Sequence, residues 1–166
     1  MADEIVYRPG IIGALVDEYE RALLDLAKTI HPIKQPQFVE VLDEVTKDQH
    51  CRSVQRIMGH VISSGYDDAD YIRRQFDRSI SPPPVNVPVD ALDANRQMVT
   101  LLEYMIESFD GRWDMIHEEI EKTIIKASWG NYNLEQFMEH AIVHVLRHRR
   151  QITYLLSHPK KKWSGG

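Results

Sequence analysis

Histidine recurs every fourth residue in the segment Glu139-His140-Ala141-Ile142-Val143-His144-Val145-Leu146-Arg147-His148. On an α-helix, residues four apart differ by only about 40° around the axis and lie one turn apart, so two imidazoles can close on one metal ion. The outer two lie about 12 Å apart along the axis, so the three do not easily share one ion. The choice is His140 with His144, or His144 with His148. The apolar pattern separates these options. Leu134, Phe137, Ala141, Val145, Ile152 and Leu155 define a buried stripe. At about 100° per residue, His148 falls roughly 20° from the middle of that stripe, His144 roughly 60° and His140 roughly 100°. His144 and His148 therefore point inward, and His140 sits on the flank. Two inward imidazoles that merely packed would each need a partner of their own in an apolar place. The HxxxH spacing alone is a moderate signal, because helices rich in His, Arg and Glu produce it by chance.

A closed or catalytic metal site needs at least one further ligand from elsewhere. The candidates are His31, His50, His60, His117 and His158, with Asp and Glu. Periodicity does not select His60, which shares a solvated or cleft-lining face with Ser53, Arg56, Ser64, Asp67 and Tyr71. Glu139, Asp67 and Tyr71 are candidate pocket groups around such a site. The lone cysteine, Cys51, has only His50 beside it to argue for a nucleophile.

Four amphipathic segments must position these residues. Pro9 suits a first helical turn, and Ile11, Ile12, Leu15, Val16, Tyr19, Ala22, Leu23 and Leu26 predict a helix over 9–30. His31-Pro32 ends it. Residues 33–51 read as a looser connection with room for a short helical turn. Ser53 opens a second helix to about Asp77, with Val54, Ile57, Met58, Val61, Ile62, Ala69, Ile72 and Phe76 on its stripe. Ser79 to Asp90 contains Pro82-Pro83-Pro84 and Pro88 and cannot be a helix interior. A third helix runs from about Asp90 to Phe109, and Asp110-Gly111 breaks it. Over residues 112–131, Trp113 to Ile120 reads as continued helix, Thr123-Ile124-Ile125 as extended, and Trp129-Gly130-Asn131 as a turn. Asn133 is a good N-cap for a last helix from Leu134 to about Ser157. The expected fold is all-α: one four-helix bundle domain over 1–158, a long proline-containing connection between its second and third helices, and a mobile tail over 159–166.

With 166 residues and 43% apolar content, the chain can bury one useful core. A net charge of -5 gives no global attraction to nucleic acid or anionic membrane, and the basic runs at Arg147, Arg149-Arg150 and Lys160-Lys161-Lys162 are short. No stretch approaches the roughly 20 apolar residues that span a bilayer. Met1-Ala2-Asp3-Glu4 lacks the basic and apolar regions of a signal peptide. A single cysteine cannot form an internal disulfide, so the cytoplasm is the expected compartment.

Two segments resemble a known family. His140-Ala-Ile-Val-His144-Val-Leu-Arg-His148-Arg-Arg-Gln-Ile152 is similar to the closing motif of the DinB-like (DinB/YfiT) metal-binding helical bundles. Ser53-Val-Gln-Arg-Ile-Met-Gly-His60-Val-Ile-Ser-Ser resembles that family's other motif. The resemblance implies a metal triad of His60, His144 and His148, which agrees with the inward pair and supplies a third ligand. Arg150 departs from the small residue usual before Gln151, and His140 matches a position that is not usually a ligand. Three neutral imidazoles suit zinc, nickel, iron(II) or copper(II), with zinc or nickel preferred over iron, and leave positions open for water or substrate.

What the resemblance implies of function is a metal-dependent enzyme, either a thiol transferase using small thiols or a hydrolase-like member. The competing expectations are a non-catalytic metal-holding or stress-response protein, and an association bundle whose histidines only pack. A homodimer is expected under all three. Direct DNA contact is not, because phosphate binding needs basic surface.

Overall fold

The computed structural model describes residues 6–158. The expectations for Met1-Ala2-Asp3-Glu4, for the Lys160 run and for a tail over 159–166 lie outside the described residues. The chain runs α1 (Gly10–Ile30), α2 (Gln35–Val39), a 3-10 turn (Gln49–Cys51), α3 (Val54–Gln75), α4 (Ala91–Glu107), α5 (His117–Lys122), β1 (Ile124–Ala127), β2 (Gly130–Asn133) and α6 (Leu134–Ser157). The protein is therefore mostly helical.

Local chemistry sets the helix starts. Ser53 accepts a hydrogen bond from the Arg56 amide at 3.2 Å, and Asp90 accepts one from the Asp93 amide at 2.8 Å. Asn133 and Gln136 cap α6 reciprocally, at 2.9 and 3.1 Å. After α3 ends, Asp77 turns the chain with a φ of 50°. The proline-containing connection that follows has no regular structure and is tied back to α3 where Gln55 Nε2 donates to the Pro88 carbonyl at 2.8 Å.

The four long helices pack in a closed ring of neighbours: α1 on α6 and α4, and α3 on α4 and α6. Their buried residues fall at three- and four-residue spacing, such as Ile12, Val16, Tyr19, Leu23, Leu26 and Ile30 on α1. One apolar cluster draws on all four. Between α3 and α4 the buried Arg73 donates to Ser108 Oγ at 3.0 Å and to the Tyr104 carbonyl at 2.8 Å, while Tyr104 Oη donates to Asp70 at 2.8 Å. These bonds satisfy polar groups that would otherwise be costly inside.

The region after α4 departs from the sequence reading. Helix covers only His117–Lys122, not Trp113 to Ile120. The extended stretch at Thr123-Ile124-Ile125 is one arm of an antiparallel hairpin with Ile125 opposite Tyr132 and Ala127 opposite Gly130. Its turn is Ser128-Trp129, so Gly130 and Asn131 belong to the second strand. The reason is tertiary. Ile125 is fully buried and β1 packs on α3, so a four-residue strand too short to read from periodicity gains its place from burial.

Candidate metal centre

The site forms where α3 and α6 meet, 84 residues apart in sequence. His144 and His148 are successive turns of α6, and His60 reaches them from α3. His60 Nε2 lies 3.2 Å from His144 Nε2, and His148 Nε2 lies 3.1 Å from His144 Nε2. One ring nitrogen from each of the three falls within 4.8 Å of the others. The donors fit a metal ion. Three imidazole nitrogens, each about 2.05 Å from a tetrahedral centre, would stand about 3.3 Å apart.

The hydrogen bonds around the triad select the same nitrogens. His148 Nδ1 donates to Gln151 Oε1 at 2.9 Å, so the proton sits on Nδ1 and Nε2 presents its lone pair to the other rings. Gln151 and His148 are both buried, at 4% exposure each. His60 Nδ1 lies 3.5 Å from Ser64 Oγ, one turn along α3. Burial is the main force on the titration of these rings. It pushes His144 down to about 3 and His148 down to about 4, and lowers His60 as well. The neighbouring imidazoles and the Arg147 guanidinium act in the same direction on His144. Burial keeps the rings neutral, and neutral imidazole nitrogens this close together can either share a ring proton or turn their lone pairs to a metal ion.

His140 is not part of the group. It is exposed, its ring is parallel to His144 at 6.4 Å, and its other ring neighbours are Trp129 of the hairpin turn, stacked at 5.8 Å, and Tyr132, at 6.2 Å. His31, His117 and His158 also lie outside the group, and no carboxylate belongs to it among the described residues. Of the candidate pocket groups, Asp67 lies in the cleft beside His60. Tyr71 instead accepts from the Ser128 amide at 3.3 Å and packs on Trp129 and Phe137. Glu139 lines a different groove, between α1 and α6. Arg150 is exposed.

A cleft of about 420 Å³ opens on the α3 side of the triad. Its floor is the helix face carrying Arg56, His60, Ser63, Ser64 and Asp67. Val85, Asn86 and Val87 of the proline-containing connection line it as well, with His50 from the 3-10 turn. The His50 ring lies 5.5 Å from that of His60.

Sequence reasoning assigned no role to Gln151 or Arg56, and it weighed His50 only as one of several further-ligand candidates, whereas His50 lies outside the triad and lines the cleft. Gln151 was legible in principle, since it stands three residues after His148 and so on the same helix face. The place of His50 beside the cleft was not, because no periodic pattern places a residue in a connection. Cys51 is half-buried, with Sγ 3.4 Å from Asp48 Oδ2 and 3.9 Å from Gln151 Oε1. Burial raises its thiol, the opposite of what an activated nucleophile needs. Comparison of the chain with family models, with curated proteins and with solved structures gives no match.

Proposed function

We propose that the chain is a DinB-like four-helix bundle in which His60, His144 and His148 hold one divalent transition metal ion, and that it is a metal-dependent enzyme of the thiol-transferase or hydrolase-like kind. Zinc or nickel is the preferred ion, with iron(II) as the alternative. The observation that carries the reading is the convergence of three Nε2 atoms, with the one on His148 stripped of its proton by the bond from Nδ1 to Gln151. A bound ion would make a water more acidic or hold a thiol as thiolate.

The chain's own residues supply the rest. Three protein ligands leave coordination positions for a reactant, as in catalytic rather than closed structural sites. Gln151 holds the His148 ring in one tautomer and orientation. The apolar packing of α6 on α1 and α3 keeps water from the inner side of the triad, and the cleft beside His60 admits small molecules from the other. A homodimer is the expected assembly, in keeping with exposed apolar side chains such as Val89, Leu92 and Val99.

Elemental analysis of protein purified without a metal-affinity tag tests the reading, beside His144→Ala. The expected result is about one ion per chain, lost in the variant. Metal bound without turnover in a screen of small thiols and hydrolysable esters would favour a metal-holding protein. Absence of metal in both proteins, with none taken up on titration, would leave histidines that only pack.

A further inference from the structure

The cleft beside the triad is polarised. Arg56 stands one helical turn before His60 on the same face of α3, and both line the cleft. Asp67 lies eleven residues beyond Arg56, about 16 Å further along the helix axis, and lines the other end. Arg8, Arg21, Arg73, Arg78, Arg96 and Arg149 are all committed to carboxylates. The Arg56 side chain is exposed, and its guanidinium forms no ion pair or hydrogen bond with the described residues.

Resting on the metal reading above, we propose that the cleft takes a small molecule bearing a carboxylate, which Arg56 holds while the molecule's reacting end lies at His60 and the other two histidines. Guanidinium is suited to the role, because its planar fork matches a carboxylate with two parallel donors. Asp67 gives direction, since it repels an anion from the far end. One docking guanidinium with a carboxylate in the same cleft suits a monoanion better than a doubly charged group. Ser63, Ser64 and Asn86 offer neutral hydrogen-bonding groups between the ends. Arg147 adds positive potential from α6, where its charge is felt by all three imidazoles. Asp48, the other acid near the triad, is occupied: its carboxylate accepts from the His50 amide at 2.9 Å and from Cys51.

The test uses cobalt(II)-loaded protein and two probes of nearly equal shape, 3-mercaptopropionate and its neutral amide, 3-mercaptopropionamide. Each thiol is titrated while the visible absorption of the cobalt is followed. The expected result is binding of the acid about tenfold tighter than the amide, the range for a charge-assisted hydrogen bond. Arg56→Gln should bring the two affinities together and leave the probe-free cobalt spectrum unchanged. Equal affinities in the wild-type protein, or a preference that survives in Arg56→Gln, would overturn the proposal and leave the metal reading standing. Failure of the wild-type protein to take up cobalt at all would overturn both.

Discussion

Gln151 fixes which nitrogen of His148 faces the other rings, and it does so from a buried position where no water can replace it. Gln151→Leu keeps the apolar packing and removes the acceptor. Metal affinity in that variant should fall about 10- to 100-fold, read by competition with a chromophoric chelator. Acid should act on the same rings. His144 and His148 accept protons far less readily in the folded protein than in the unfolded chain, where the ordinary value is 6.5. As pH drops below about 6.5, the unfolded state binds more protons, so stability falls with falling pH. The loss continues down to about 4 for His148 and about 3 for His144, and levels off below. Urea midpoints of the metal-free protein at a series of pH values check this; His144→Ala should flatten part of the slope. At this scale the sequence was readable where periodicity bears on a residue. The angular position of His144 and His148 relative to Leu134, Phe137, Ala141 and Val145 pointed both inward, and both are inward. His60 was not chosen by periodicity, because its face of α3 lines a cleft and carries polar neighbours instead of a stripe.

Gly65 lets α3 come close to Tyr19 of α1 and Leu101 of α4, away from the histidine group. A Cβ there would stand 2.6 Å from Leu101 Cδ2 and 2.8 Å from the Tyr19 hydroxyl. Tyr19 and Leu101 are fully buried and have little room to yield. Gly65→Ala should therefore destabilise the protein by about 1–3 kcal/mol, despite the better helix propensity of alanine. Its urea midpoint against wild type measures this. The metal content of the folded variant should stay unchanged, since the ligands sit elsewhere. The long helices were legible because each carries a sustained stripe, and three of the four a side-chain cap, at Ser53, Asp90 and Asn133. The hairpin was legible only in outline: Thr123-Ile124-Ile125 read as extended and Trp129-Gly130-Asn131 as a turn, but the second strand was not read. Four-residue strands hold too few side chains to show a period, and Ile125 is distinguished only by what covers it.

For the whole molecule, histidines drawn from α3 and α6 would make metal binding a long-range tie between segments 84 residues apart. An ion that binds the folded chain and not the unfolded one adds about 2.7 kcal/mol at one hundred times its dissociation constant. Zinc or nickel should raise the thermal midpoint, a chelator should reverse the rise, and His144→Ala should abolish it. Light scattering, with and without metal, gives the assembly state, for which a dimer is expected. No helix of the described residues is long and apolar enough to cross a membrane. The proline-containing connection has one consequence for descent with modification. Val85, Asn86 and Val87 border the cleft from exposed positions outside every helix, and none of them belongs to the buried core. Lineages can vary what the cleft admits at those positions while the histidine-bearing helices stay fixed, which separates the evolution of the cleft's border from that of the histidine group.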